Sequence, residues 1–67
     1  MESLAELSRQ RRKVLRLTQA DLAELAGVSE RFVRLVEAGK DTVRLDKLRP
    51  LLEVLGLSLR VELRSPS

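Results

Sequence analysis

The sequence predicts a mainly α-helical domain of four short helices followed by one C-terminal β-strand. Apolar residues recur at helical spacing up to Leu55, and the pattern then changes to strict apolar–polar alternation from Leu57 to Arg64. The 67-residue chain contains no Cys, His, Trp or Tyr and a single Phe, so its core must come from Leu, Val and Ala. That composition suits packed helices.

Helix one should run from Leu4 to Leu15, because residues 3–6 (Ser-Leu-Ala-Glu) form a capping-box pattern with Ser3 as the N-cap. Ser8 and Arg11 interrupt its apolar stripe. The residues expected to supply that stripe are Leu4, Leu7, Val14 and Leu15.

Helix two should begin at Thr18, where residues 18–21 (Thr-Gln-Ala-Asp) repeat the Thr/Ser-x-x-acid start. Gly27 should end it in a left-handed conformation. The residues expected to face inward are Leu22, Ala23, Leu25 and Ala26.

Helix three should start after the N-cap Ser29, run to about Ala38 and close at Gly39. A charged loop follows at 40–45, and helix four should end at Leu55 before Gly56. If Asp46 is its N-cap, Pro50 falls near the end of the first turn, where Pro is tolerated. The expected buried face is Leu48, Leu51, Leu52 and Leu55.

Residues 17–40 therefore place two short helices around one tight turn, which is the pattern of a DNA-binding helix-turn-helix. Ala23 is small enough for a close helix crossing, and Gly27 permits the sharp reversal. Helix three should be held to the core by Val28, Val33 and Val36, which leaves its opposite side facing outward.

That outward side carries side chains that can read DNA bases. Arg can donate two hydrogen bonds to guanine, Glu can accept from cytosine, and Leu can contact a thymine methyl. Alternatively, the arginines are simply solvated, with Glu30 and Arg34 forming a surface pair at i and i+4 or Glu30 stabilising the helix N-terminus. The candidate base-reading residues are Glu30, Arg31, Arg34 and Leu35.

The net charge is +3 with a pI near 10.2, and five basic residues crowd into positions 9–16. Alone, such a run is most simply a solvated face, but beside a helix-turn-helix it favours phosphate contact. Gln19 and Ser29 lie at helix N-termini, which favour anions. The candidate backbone contacts are Gln19, Ser29, Arg9, Lys13, Lys40 and Arg44.

Residues 9–56 resemble the Cro/phage-repressor (XRE-type) helix-turn-helix family. The resemblance rests on Leu17-Thr18-Gln19, Leu22-Ala23, Gly27-Val28-Ser29, Val33 and Glu37-Ala38-Gly39-Lys40. It implies a lambda-repressor-like four-helix domain, contact of Gln19 with the DNA backbone or an outer base, and a partly buried ion pair between Arg12 and Glu37.

Arg16 departs from that family, which usually has Gly at this position. A left-handed Arg costs ~1–2 kcal/mol relative to Gly, so the turn is expected to be wound differently. Ser8, where an apolar residue is common, suggests a thinner core beneath helix one.

Residues 42–48, together with Leu55-Gly56-Leu57 and the following strand, resemble the HipB-like antitoxins of toxin–antitoxin operons. This implies autorepression of an operon and binding of a HipA-like kinase toxin. The alternatives are a solitary Cro-type repressor, encoded by a phage or a chromosome, and an interaction module whose DNA binding depends on its partner.

The alternating segment should pair with its copy in a homodimer, because a lone strand exposes an unpaired edge and the sequence offers no second strand. Centring the antiparallel pair on Val61 sets Arg60 opposite Glu62 of the second copy. The alternative is a monomer whose strand packs on its own helices. The expected dimer-strand residues are Leu57, Leu59, Arg60, Val61, Glu62 and Leu63.

The expected organisation is a DNA-binding domain at 1–56, a dimerisation strand at 57–64 and a frayed tail at 65–67. Because no nucleophile–base pair or metal-ligand cluster is visible, we expect neither enzymatic activity nor a bound metal or cofactor. Because no signal peptide or membrane-length apolar run is visible, we expect a cytoplasmic, nucleoid-associated protein without membrane contact.

Overall fold

The computed structural model describes residues 3–40 and 42–60, and these residues form four α-helices. They are α1 (Leu4–Val14), α2 (Gln19–Ala26), α3 (Glu30–Glu37) and α4 (Leu45–Leu55). Both α1 and α2 pack against α3 and α4. The predicted four-helix arrangement is confirmed. Within the described residues, no helix is long and apolar enough to cross a membrane.

The core is built by α2, α3 and α4. Leu22, Val33 and Leu55 have no exposed surface, and Phe32, which the sequence pattern did not assign, is buried beside them. Val28 packs against this cluster and is half-buried. The buried core residues are Leu22, Ala23, Ala26, Phe32, Val33, Val36, Leu48, Leu51, Leu52 and Leu55.

The apolar stripe predicted for α1 does not form the buried face, and that prediction is wrong. Ala5 and Ser8 are the buried residues of α1, whereas Leu4, Val14 and Leu15 are exposed and Leu7 is half-buried. The charged side chain of Arg12 explains the difference. Ala5, Ser8 and Arg12 share one face of the helix at i, i+3 and i+7, and the ion pair of Arg12 with Glu37 turns that face inward.

Leu25 of α2 was also expected to face inward, and it is 62% exposed. Leu22, Ala23 and Ala26 fill the inward side as predicted. Since successive residues are separated by about 100°, Leu25 lies roughly a quarter turn away from the centre of that side. In a helix of eight residues, three inward positions suffice to cover the core.

Side-chain caps begin the first three helices. The hydroxyl groups of Ser3, Thr18 and Ser29 accept hydrogen bonds from the backbone N–H three residues later, at 3.1, 2.9 and 3.0 Å. At α2 the predicted capping box is complete, because the Thr18 N–H also donates to the Asp21 carboxylate at 2.9 Å. These caps fix where each helix starts.

α4 begins differently from the prediction. Its N-cap is Arg44 and not Asp46, and Arg44 makes no side-chain capping bond. Asp46 lies in the first turn and accepts from the Arg44 guanidinium at 2.8 and 3.1 Å. Pro50 is therefore the sixth helical residue and lies in the second turn, where it removes one ladder hydrogen bond.

All four helices end with the same backbone reversal. In each, a residue in the left-handed region is followed by an N–H that bonds to the carbonyl five positions earlier, at 2.8–3.3 Å. Gly27, Gly39 and Gly56 occupy that position in three helices, with φ between 69° and 76°. Arg16 occupies it after α1, with a φ of 58°. The expectation that this turn is wound differently is therefore wrong.

The predicted strand is only partly described. Residues 57–60 form no regular secondary structure in this single chain. Val61, Glu62 and Leu63 lie outside the described residues, and so does Asp41 of the charged loop. Pairing between two copies stays a prediction.

Candidate nucleic-acid interface

The helix α3 has one buried and one exposed side. Phe32, Val33 and Val36 enter the core, while Arg31 and Arg34 are exposed. Leu35 was expected to face fully outward and is instead half-buried. Its position between the two sides of α3 leaves only part of its side chain accessible.

Two of the candidate base-reading residues contact each other. The Arg34 guanidinium lies 3.3 Å from the Glu30 carboxylate, and both side chains are about half exposed. Exposed ion pairs of this kind contribute only ~0–1 kcal/mol. The alternative role of Glu30 and Arg34 as a surface pair is therefore present, but so weak a pair can be exchanged for a two-hydrogen-bond contact of Arg34 with a guanine edge.

Arg12 and Glu37, which the family resemblance expects to pair, form a bidentate ion pair between α1 and α3. Arg12 Nε lies 2.7 Å from Glu37 Oε2, and Arg12 Nη2 lies 3.0 Å from Oε1. The side chains are only 14% and 7% exposed. Arg12 Nη1 also donates to the Leu17 carbonyl oxygen at 2.9 Å, which fixes the turn before α2.

The pKa of Glu37 lies below its ordinary value. Burial acts to raise this pKa, but the hydrogen bonds from Arg12 and Gln19 and the positive charges of Arg12 and Arg9 outweigh it. The hydrogen bond to Glu37 raises the pKa of Arg12 correspondingly. Both groups therefore stay charged at neutral pH.

Gln19, a predicted DNA-backbone contact, joins this ion pair. It is the first residue of α2, and its Nε2 donates to Glu37 Oε1 at 3.3 Å. The side chain is half-buried. Residues from three helices thus meet at one carboxylate beside the N-terminus of α2.

Two other arginines of α1 bind backbone carbonyls at the ends of distant helices. Arg9 Nη2 donates to the carbonyl oxygen of Glu37, the last residue of α3, at 3.0 Å. Arg11 Nε donates to the carbonyl oxygen of Leu55, the last residue of α4, at 2.9 Å. Such carbonyls lack partners within their helix, and cationic side chains satisfy them well.

The role of Arg11 was missed by sequence reasoning, which treated it as an interruption of an apolar stripe. No sequence signal identifies its partner, because every residue has a carbonyl oxygen. Much of the basic run at 9–16 is therefore structural. Within the described residues, Lys13 and Arg16 are the members of this run that are exposed and make no hydrogen bond to a distant helix.

The remaining candidate phosphate contacts lie in different surroundings. Lys40 is exposed after α3, whereas Arg44 is exposed but paired with Asp46. The Ser29 hydroxyl is occupied as the cap of α3, where it accepts from Phe32 N–H. Its own hydroxyl hydrogen can still be donated to a phosphate.

A family model described as helix-turn-helix matches residues 9–61, which is most of the chain. The chain belongs to the helix-turn-helix family. A relative from Sinorhizobium fredii, the uncharacterized HTH-type transcriptional regulator y4mF, is 42% identical over 50 residues. That match covers 75% of this chain and 66% of the relative, slightly less than two thirds of its length.

The helix-turn-helix of this chain consists of α2, the turn at Gly27 and α3. In DNA-binding proteins with this motif, the second helix lies in the major groove with its N-terminal residues at the base edges. Here Glu30 and Arg31 lie in the first turn of that second helix, and Arg34 lies in its last turn. Gln19 stands at the N-terminus of the first helix, a position suited to a phosphate.

Proposed function

We propose that this helix-turn-helix chain is a transcriptional repressor that acts as a homodimer and binds a palindromic double-stranded operator. The observation that carries the proposal is the exposure of Arg31 and Arg34 on α3, opposite the buried Phe32 and Val33. A rigidly packed helix with arginines on its free side can present them to guanines in the major groove.

Contacts with the DNA backbone would set the register of α3 on the duplex. Gln19 and Ser29 stand at the N-termini of α2 and α3, and Lys13 and Lys40 are exposed cations. Phosphate contacts position a protein without reading sequence. Arg9 and Arg44 each donate to one acceptor already, so a phosphate contact uses their remaining N–H groups.

Selection of duplexes from a random-sequence library by the wild-type chain tests the DNA-binding part of this proposal. We expect a two-fold symmetric site whose half-sites lie one or more helical turns apart, a turn being ~34 Å. Equal affinity for selected and unselected duplexes at physiological salt would contradict it.

The dimer would form through the C-terminal segment, with Leu57, Leu59, Val61 and Leu63 on one face of a two-stranded antiparallel sheet. Leu59 is 46% exposed in the single chain, which leaves an apolar side chain for a second copy to cover. Pairing centred on Val61 brings Arg60 opposite Glu62 of the second copy.

Charge reversal tests this register. Glu62→Arg should weaken the dimer in sedimentation equilibrium by opposing like charges, and adding Arg60→Glu should restore it. If both variants dimerise like the wild type, the register is wrong. A monomeric wild type would support the alternative in which the segment packs on its own helices.

A second candidate function is that of an antitoxin, which binds and restrains a HipA-like kinase toxin and represses its own operon. The observation favouring it is the resemblance of residues 42–57 to HipB-like antitoxins. An adjacent kinase-like gene whose product co-purifies with this chain would support it. A solitary repressor should bind its operator without a partner, whereas a partner-dependent module should bind weakly until the partner is added.

A further inference from the structure

We propose that Glu37 is a positioning residue for DNA binding, because it holds the Gln19 side chain in the orientation that contacts the DNA backbone. The inference rests on the proposed DNA-binding function and deepens it. Gln19 Nε2 lies 3.3 Å from Glu37 Oε1, and Arg12 Nη2 binds the same oxygen at 3.0 Å.

The chemistry of a carboxylate determines which way the Gln19 amide faces. An ionised carboxylate only accepts hydrogen bonds, so the NH₂ group of Gln19 must point toward Glu37. The amide still has a second N–H to donate to a phosphate oxygen. Without Glu37, this long side chain would have to lose its rotamer freedom each time it bound DNA.

The carboxylate is itself held rigidly. Two hydrogen bonds from Arg12 fix both oxygens, and Arg9 donates to the Glu37 backbone carbonyl at 3.0 Å. The Glu37 side chain is only 7% exposed, so little water competes for its oxygen atoms. A fixed acceptor beside the first residue of α2 therefore pre-organises Gln19 before DNA arrives.

A double-mutant cycle tests the inference without unfolding the domain. Removing Glu37 alone would leave Arg12 buried without its partner, which is strongly destabilising. Replacing both, as Arg12→Met/Glu37→Met, exchanges the ion pair for apolar side chains of similar length, which proteins often tolerate. Thermal unfolding followed by circular dichroism identifies the temperature range in which every variant is folded.

The effect of Gln19→Ala on DNA affinity is then measured in the wild type and in Arg12→Met/Glu37→Met, called the double-Met variant. The DNA is a duplex that the wild-type chain selected from a random-sequence library. In the wild type, Gln19→Ala should weaken binding roughly threefold to tenfold. The double-Met variant should bind as weakly as Gln19→Ala. Adding Gln19→Ala to the double-Met variant should change affinity less than twofold, because the contact of Gln19 with Glu37 is already absent there.

Lys13→Ala is the matched control, because Lys13 is exposed and makes no hydrogen bond to Glu37. It should change affinity by the same factor in both backgrounds. The inference would be overturned if Gln19→Ala weakened binding equally in both backgrounds, or if the double-Met variant bound DNA like the wild type. Either result would leave the proposed DNA binding intact. A wild-type chain that selects no duplex would overturn the proposed function together with it.

Discussion

Arg11 Nε donates to the carbonyl oxygen of Leu55 at 2.9 Å, joining α1 to the last residue of α4 across 44 positions of sequence. The guanidinium also lies close to Gly56, where an added Cβ would stand 3.3 Å from Nη2. Since the C-terminal segment leaves α4 at Gly56, Arg11 anchors the point from which the proposed dimer strand departs.

Replacing Arg11 with Met should therefore destabilise the domain by about 1.5–3 kcal/mol, the usual contribution of a hydrogen bond from a charged donor. Urea unfolding followed by circular dichroism measures the free energy of unfolding. Lys13→Met removes the same charge from an exposed position of α1 and should have little effect. Equal losses for the two variants would show that the bond to Leu55 contributes nothing.

Replacing Arg16 with Gly should raise stability by ~1 kcal/mol, because Gly adopts the left-handed conformation of this turn without strain. Arg16→Ala removes the same charge but keeps a Cβ in the strained conformation. Thermal unfolding should show a higher midpoint for the Gly variant than for both the Ala variant and the wild type. If the Gly and Ala variants melt together, Arg16 carries no backbone strain.

Ser8→Ala should also stabilise the chain, by about 1 kcal/mol. The Ser8 hydroxyl is buried, with 1% of the residue exposed, and its oxygen has no hydrogen-bond partner in the described residues. An unsatisfied buried hydroxyl is costly, and Ala fills nearly the same volume. Gln10→Ala, on the exposed side of α1, measures the background effect of adding Ala to the helix. A Ser8→Ala variant less stable than the wild type would contradict the prediction.

Stability should stay nearly constant near neutral pH and fall in acid. The chain has no His, so no side chain with an ordinary pKa near 6–7 changes charge there. Although burial opposes it, the net effect on Glu37 is a pKa below its usual 4.5. Its stabilising contribution is therefore complete above the unfolded-state value and is lost as the pH falls through the folded-state value.

Arg12→Met/Glu37→Met removes this contribution, so its free energy of unfolding should fall less steeply in acid than that of the wild type. Asp21 and Asp46 retain lowered pKa values, through hydrogen bonds with Thr18 and Arg44, so some acid dependence remains. Urea unfolding at a series of pH values measures the two slopes. Parallel slopes would mean that Glu37 does not titrate differently in the folded state.

Local signals predicted most helix boundaries, although the start of α4 at Arg44 was not among them. Thr18 with Asp21 forms the expected capping box, and Gly27 and Gly56 end their helices in the left-handed conformation. Each of these features depends on residues only a few positions apart. Sequence was sufficient at these positions because the interacting groups are neighbours in the chain, whereas at α4 the neighbouring pair of Arg44 and Asp46 was not foreseen.

Contacts between distant residues were harder to predict. Apolar spacing could not show that Val14 and Leu25 face solvent, because short helices need only a few inward positions. The partner of Arg11 is a backbone carbonyl, which has no sequence signature. By contrast, Arg12 and Glu37 were identified through family resemblance, since periodicity alone relates no residue of α1 to a residue of α3.

The central claim is that α3 reads DNA bases, and the sequence preference of the Arg31→Ala variant tests it most directly. Both this variant and Lys40→Ala are used to select duplexes from the same random-sequence library as the wild type. If α3 reads bases, Arg31→Ala should lose ~1–3 kcal/mol of discrimination at one position of each half-site, whereas Lys40→Ala should weaken all duplexes alike. An Arg31→Ala variant with the wild-type preference, confirmed by the same result for Arg34→Ala, would contradict the account.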